Sequence, residues 1–164
     1  MKNLLIISFL LITSICLQQM LPGWPIFNNL KPSIVLALLV HLAFRLSIRN
    51  TWQFTFISAL IYDGLEPGSY GPALLSFPII TLLILKFRND LFRNGLVTQI
   101  FCGAVSGAIV IFITSLLYFI TNARPISSTV SLIIFGAIIG AIIQPLFSQV
   151  IIKSGLISER GSWS

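Results

Sequence analysis

The sequence predicts an all-α integral membrane protein with about six transmembrane helices and both termini in the cytoplasm. Three observations carry this prediction: an apolar composition, six apolar runs separated by turn-forming breaks, and cations gathered on one side of those runs. Of the 164 residues, 56% are hydrophobic and only 9% are charged, and the mean hydropathy is +0.99. A soluble domain carries about 25% charged residues. The composition therefore excludes a soluble enzyme, a disordered chain and a nucleic-acid binder.

Six apolar runs are suited to membrane helices, and together they form one transmembrane helical domain over residues 1–164. A bilayer core about 30 Å thick takes about 20 helical residues, or fewer where the membrane thins. The second to fourth runs are the shortest, and the last two are long enough to tilt. We expect helices at residues 3–21, 33–48, 52–66, 72–87, 95–121 and 127–152.

The breaks around the first three runs set their boundaries. Lys2 opens the first run, which lacks a small-x-small cleavage site, so we expect it to be retained rather than removed as a signal peptide. A loop rich in Pro, Gly and Asn, with Trp24 suited to the membrane interface, ends this run. The polar stretch 47–51 then separates the second run from the third.

The third and fourth runs meet at residues 66–72 (EPGSYGP), which cannot be a helix interior because two Pro and two Gly fall within seven residues. Short helices that meet there predict a hairpin with its tip at the outer interface. Non-helical backbone at that depth must be covered by protein or water, so we expect this hairpin to pack against other helices. The charged stretch 86–94 ends the fourth run, and the turn 122–125 separates the last two.

Most of the cations fall on one side of this predicted bundle. With the N-terminus in the cytoplasm, Lys31 and Arg124 lie outside. Eight cations lie inside, namely Lys2, Arg45, Arg49, Lys86, Arg88, Arg93, Lys153 and Arg160. Cytoplasmic loops of membrane proteins carry an excess of Lys and Arg. The formal net charge of +6 therefore follows membrane orientation and does not mark a nucleic-acid surface.

Two polar side chains fall inside apolar runs. Charged groups at membrane depth are costly and normally face a protein interior or a cavity. Asp63 therefore either contacts a pathway, ligand or partner, or caps backbone N–H groups of the adjacent turn, and its neighbours Gly64 and Glu66 favour capping. His41 is the single histidine. We expect it to make one interhelical hydrogen bond rather than to complete a metal or proton-transfer site.

Small residues mark one face of each of the last two runs. Gly103 and Gly107 lie four residues apart in the fifth run, as do Gly136 and Gly140 in the sixth. Such faces let helix backbones approach closely. They predict either association with a partner's membrane helix or packing of the fifth helix on the sixth within one chain, and we favour the second interpretation because the motif is common.

The sequence carries no pattern that indicates catalysis. With one His and four acidic residues, no Ser/His/Asp or paired-carboxylate arrangement is credible. The sequence also lacks a P-loop, a Gly-rich dinucleotide fingerprint and a zinc-protease motif. Cys16 and Cys102 lie in apolar runs and form neither a disulfide framework nor a metal-ligand cluster. We therefore expect no enzymatic activity, cofactor or metal.

A longer pattern runs from residue 30 to residue 94. Lys31 and Pro32 open an apolar helix, a basic turn follows, and the next helix ends in the sequence YDGL at 62–65. The turn EPGSYGP, a further helix and a basic exit (KFRNDLFRN) complete it. This order resembles the MreD family of multi-pass rod shape-determining proteins of the bacterial inner membrane. The residues that match the family's central pattern are Asp63, Gly64, Gly68, Gly71 and Pro72, and Lys31 stands where the family more often has Arg.

The resemblance implies a non-catalytic scaffold of the cell-elongation machinery, or elongasome, which supports peptidoglycan synthesis and cell shape. It implies MreC as a membrane partner, with MreB, RodA and an elongation-specific penicillin-binding protein in the same assembly. It also implies a fold similar to that of the S-components of energy-coupling-factor vitamin transporters.

Two other functions stay open on the sequence. An S-component-like subunit of a small-molecule importer would need a polar or aromatic pocket open to the outside. The candidate lining residues for such a pocket are Trp24, Tyr62, Asp63, Glu66 and Tyr70. A transporter of the small multidrug type would use Asp63 as its intramembrane acid, but neither a second relay group nor an inverted repeat is evident.

The orientation yields a direct test. A reporter fused after Ser164 is expected to be cytoplasmic, because six spans return the chain to the side on which it began. Paired fusions of alkaline phosphatase and green fluorescent protein measure this. A periplasmically active phosphatase at that position would contradict the topology.

Overall fold

The structure, a computed structural model, describes residues 2–23, 31, 33–65, 71–89, 95–122 and 129–154. In this part of the chain it is all-helical, without strands, which confirms the predicted all-α class. The six helices in chain order are α1 (Lys2–Met20), α2 (Ile34–Arg45), α3 (Ile48–Leu65), α4 (Pro72–Phe87), α5 (Leu96–Asn122) and α6 (Thr129–Ser154).

The predicted polar break at 47–51 is wrong in extent, because the connection between α2 and α3 is only two residues, Leu46 and Ser47. Leu46 adopts an extended conformation (φ −92°, ψ 162°), which stops α2 within one residue. The carbonyl of Ser47 then accepts hydrogen bonds from both the backbone N–H and the hydroxyl of Thr51, at 3.0 and 2.9 Å. These bonds start α3 at once, so the polar residues that indicated a loop lie in its first turn instead.

Helix α2 is the centre of the fold. Its first eleven residues, from Ile34 to Phe44, are all buried, and it packs against every other helix. A helix that is apolar on all sides is stable only where other helices surround it. With 12 residues it is about 18 Å long, shorter than the roughly 30 Å thickness of a bilayer core.

Helices α3 and α4 form a hairpin against this centre. The buried face of α3 repeats at helical spacing and is formed by Thr51, Phe54, Thr55, Ser58 and Ala59. The hydroxyl oxygens of Thr55 and Thr81 lie 3.0 Å apart across the α3–α4 interface, and both side chains are fully buried. Small and hydroxyl-bearing residues therefore bring the two backbones together, as in many membrane helix pairs. The two helices of this hairpin pack on other helices, as expected, whereas residues 66–70 of its predicted tip lie outside the described residues.

Helices α5 and α6 are the two in the described chain that are long and apolar enough to cross a membrane. The stretches Leu96–Leu117 and Val130–Lys153 have 22 and 24 residues, and only 22% and 17% of their most apolar windows are buried. Their large apolar side chains point outward instead, with Val97 80% and Ile120 69% exposed. A core helix of a soluble protein would be mostly buried, so this exposure is more consistent with contact with lipid or with another membrane helix.

Four glycines hold α5 against α6. A Cβ atom added to Gly103 would collide with the backbone carbonyl of Gly140, and one added to Gly107 would collide with that of Gly136. The Cβ of Gln144 would also lie only 2.6 Å from the added atom at Gly103. The two helix backbones therefore touch directly, which is the arrangement that packing within one chain predicts.

This contact generates a prediction about stability. Gly103→Ala and Gly107→Ala should each lower the free energy of unfolding by about 1–3 kcal/mol, because the new methyl group must push a rigid carbonyl away. Gly64→Ala is the matched control, since an added Cβ there meets nothing within 4 Å. Thermal unfolding in detergent should rank both α5 variants well below this control. Equal midpoints for the three variants would contradict the close approach of the helices.

Candidate functional site

Two side chains near the ends of α1 and α3 stabilise the beginnings of α2 and α4. The first backbone N–H groups of a helix have no partner within the helix. Neither α2 nor α4 satisfies them locally, because the N-cap residues Ser33 and Gly71 make no side-chain capping bond. In both cases the missing acceptor comes from the preceding helix.

Gln18 caps α2. Its Oε1 accepts a hydrogen bond from the backbone N–H of Val35 at 2.9 Å. The Gln18 side chain is 3% exposed, so water does not compete for this bond. An unsatisfied amide at such a position costs about 1–3 kcal/mol. Gln18 therefore fixes the start of the central helix relative to α1.

Asp63 caps α4 with both of its carboxylate oxygens. Oδ1 accepts from the N–H of Ala73 at 3.0 Å, and Oδ2 accepts from the N–H of Leu74 at 2.9 Å. Pro72, the first residue of α4, has no N–H, so the carboxylate takes the first two that the helix offers. A negative charge is also stabilised at the positive end of the helix dipole. Asp63 thus has the capping role that its glycine-rich surroundings favour.

A hydrogen bond joins the two caps. Nε2 of Gln18 donates to the hydroxyl of Tyr62 at 3.0 Å, so the cap of α2 is linked to the residue before the cap of α4. The Tyr62 ring packs on Phe77 of α4, with 5.8 Å between ring centroids. We call Gln18, Tyr62 and Asp63 the cap cluster. It ties four helices together at one end of the bundle.

A cavity of about 390 Å³ lies beside the cap cluster. Gln18, Lys31 and Tyr62 contribute polar lining on the side of the short helices. Ser76 also lines it, and its hydroxyl is buried without a hydrogen-bond partner. The opposite wall belongs to α5 and α6 and is formed by Gly107, Val110, Ile111, Thr114, Gly136, Ile139 and Gly140.

The other residues singled out by the family-like pattern fall into four groups. Lys31 is exposed at the cavity, while Pro32 and Gly68 lie outside the described residues. Gly71 has φ +78°, a left-handed conformation that favours glycine, directly before Pro72 begins α4. Gly64 faces open space on α3. The pattern therefore contributes a cap, a turn glycine and a helix start to the same hairpin.

His41 links the central helix to α6. Its Nδ1 lies 3.1 Å from the hydroxyl oxygen of Ser148, and both side chains are buried. This is the interhelical hydrogen bond expected from the sequence.

At the far end of α2, Nη1 of Arg88 donates to the carbonyl of Leu46 at 3.4 Å. Within the described ranges, no group of three or more His, Cys, Asp or Glu side chains could hold a metal ion.

Sequence reasoning missed Gln18 and Ser76. Gln18 stands near the end of an apolar run, where a polar residue also indicates an ordinary interfacial position. Ser76 looks like one of several small residues in a membrane helix. Only the packing of α1 against α2, and of α4 against α5, brings these side chains to the cap cluster and the cavity.

The cap geometry predicts the effect of removing the carboxylate. Asp63→Ala should destabilise the protein by about 1–2 kcal/mol, because two helix N–H groups lose their acceptor. Asp63→Asn keeps one acceptor oxygen and should lose less. Asp90→Ala, in the charged stretch 86–94, is the control and should change little. Hydrogen exchange at Ala73 and Leu74 should accelerate in Asp63→Ala and stay unchanged in Asp90→Ala. Equal tolerance of the two alanine changes would remove Asp63 from the site.

Comparisons of the chain with family models, with curated proteins and with solved structures find no match in any of the three. The resemblance to the MreD family accordingly rests on the sequence pattern of residues 30–94.

Proposed function

We propose that this protein is a non-catalytic scaffold of the bacterial cell-elongation machinery, of the MreD kind, that crosses the inner membrane six times. The observation that carries the proposal is the role of Asp63. The residue at the centre of the family-like pattern holds the start of α4 with two hydrogen bonds, beside the turn glycine Gly71 and the helix-starting Pro72. These residues of the pattern therefore form one capped helix start, and they are not scattered apolar positions.

The distribution of described cations supports six crossings with both termini inside. Lys31 lies at the end of the bundle that holds the cap cluster. Arg45 and Arg88 lie at the opposite end, where Arg88 reaches the residue after α2. Lys2 begins α1 and Lys153 nearly ends α6, which also places them away from the cap cluster. In this proposal the cap cluster faces the periplasm and the cation-rich end faces the cytoplasm.

Helix lengths are compatible with this proposal if the short helices cross a locally thinned membrane. Helix α4 has 16 residues, or about 24 Å, while α5 has 27 residues, or about 40 Å. A short helix is tolerated where the membrane thins or where neighbours shield its ends. The caps on α2 and α4 satisfy backbone groups that lipid could not.

The partners follow from the resemblance and from the exposed faces. The outward side chains of α5 and α6 offer lateral surfaces to a membrane helix, and the α3–α4 hairpin offers an edge at the periplasmic end. MreC is the proposed direct partner, and MreB, RodA and an elongation-specific penicillin-binding protein belong to the same assembly. The lipid bilayer covers the remaining apolar surface.

A second candidate function has one observation in its favour. The cavity beside the cap cluster combines polar and apolar walls, as the binding subunit of a small-molecule importer requires. In the proposed orientation it lies at the periplasmic end. The scaffold ranks first because residues 30–94 carry the MreD-like pattern as a whole.

Co-purification tests the scaffold. Tagged protein extracted in mild detergent should enrich MreC from the same cells over unrelated single-span membrane proteins. Asp63→Ala should reduce this enrichment several-fold, while Lys86→Gln, a change at the cation-rich end, should preserve it. Depletion of the protein in a rod-shaped host should produce rounded cells. Failure to enrich MreC with the native chain would contradict the proposal.

A further inference from the structure

The cavity beside the cap cluster has the size and the lining of a ligand site. Its volume of about 390 Å³ lies within the range of small-molecule pockets, about 300–1,000 Å³. The scaffold role proposed above does not use this space, and the importer alternative leaves the chemistry of its ligand open.

One side chain in the wall lacks the partner that buried polar groups normally have. Ser76 is 0% exposed, and its hydroxyl makes no hydrogen bond. The great majority of buried polar side-chain atoms are satisfied by protein or by ordered water. Alanine would pack equally well at this position in an apolar wall. The structure thus leaves one buried hydroxyl without a partner in a residue of the cavity wall.

A second wall residue supplies a positive charge. Lys31 lines the same cavity, and within the described ranges it has no carboxylate partner. Asp63 is the one acidic side chain in those ranges, and its two oxygens are bonded to backbone amides of α4. The cavity thus presents a cation that can pair with an acidic group.

Apart from Thr114, the remaining wall is apolar. Phe77, Val110, Ile111 and Ile139 line it from three helices. Burial of such a chain stabilises binding by about 25 cal/mol for each Å² of apolar surface removed from water. The wall therefore favours a ligand that carries an apolar portion in addition to its acidic group.

We propose that this cavity binds an anionic amphiphile, with its acidic group on Lys31, its apolar body between α4 and the α5–α6 pair, and a polar atom within reach of Ser76. The molecule comes either from the membrane, as a long-chain acid, or from the aqueous phase, as a short-chain acid. This site is independent of the scaffold role, because ligand binding and MreC enrichment are separate measurements.

Direct binding in lipid nanodiscs tests the site. Radiolabelled dodecanoate and hexanoate represent the membrane and aqueous sources, and 1-dodecanol and 1-hexanol are their uncharged counterparts. We expect saturable binding of at least one acid and much weaker binding of the alcohol of the same length. Saturation by dodecanoate alone identifies a membrane source, and saturation by hexanoate identifies an aqueous one. Absence of saturable binding by either acid overturns the proposal, as does equal binding of acid and alcohol.

Matched variants locate the binding. Lys31→Gln should weaken binding of the acid about tenfold, as loss of a charge-assisted contact does, and Ser76→Ala about fivefold. The matched controls are Lys86→Gln, which removes an exposed cation outside the cavity, and Ser106→Ala, which removes a buried hydroxyl bonded to the carbonyl of Gly103. Thermal unfolding of each variant verifies that it is folded. If folded Lys31→Gln binds the acid as tightly as Lys86→Gln does, the assignment to this cavity is wrong.

Discussion

The constraint on which the fold depends is that backbone N–H groups cannot be left unsatisfied in an apolar surrounding. Helices α2 and α4 begin without a local side-chain cap. The first turn of α2 is buried, whereas that of α4 is buried only at Pro72 and Ala73. The same solution appears in both, since a side chain in the last turn of the preceding helix supplies the acceptor. Gln18 serves α2 and Asp63 serves α4. Each cap also sets how far its helix is displaced along its neighbour, so capping and packing are fixed together.

This constraint explains why the helices differ in what surrounds them. Helix α2, at about 18 Å, is surrounded by protein along nearly all its length, and its central His41 is satisfied by α6. The long pair α5 and α6 packs through glycine backbones and turns its large apolar side chains outward. Helix α2 and the α5–α6 pair have similar hydropathy. They differ because α2 is surrounded by protein, whereas the outer faces of α5 and α6 are exposed. The fold is therefore a buried central helix, α2, surrounded by helices with apolar outer faces, rather than a bundle of six equivalent helices.

Six apolar runs in the sequence predicted six helices, because apolar runs bounded by Pro, Gly and charged residues leave few alternatives. The prediction was weakest where polar residues stand inside a helix. Arg49 and Asn50 indicated a loop, yet they belong to the first turn of α3, where a charged side chain can reach the surface. The capping role of Asp63 was predictable because glycines and a proline follow it closely. That of Gln18 was not, since its partner Val35 is 17 residues away and depends on helix register.

The two caps differ chemically, and their surroundings explain the difference. Gln18 is almost fully buried and divides its amide between the N–H of Val35 and the hydroxyl of Tyr62. A carboxylate there would carry a buried charge with one backbone donor, and it would lack the N–H that Tyr62 receives. Asp63 is half-buried and meets two amides at a helix start, which together with partial solvation compensate its charge. A neutral amide thus occupies the deep position and the charged cap the shallower one, as the cost of burying charge requires.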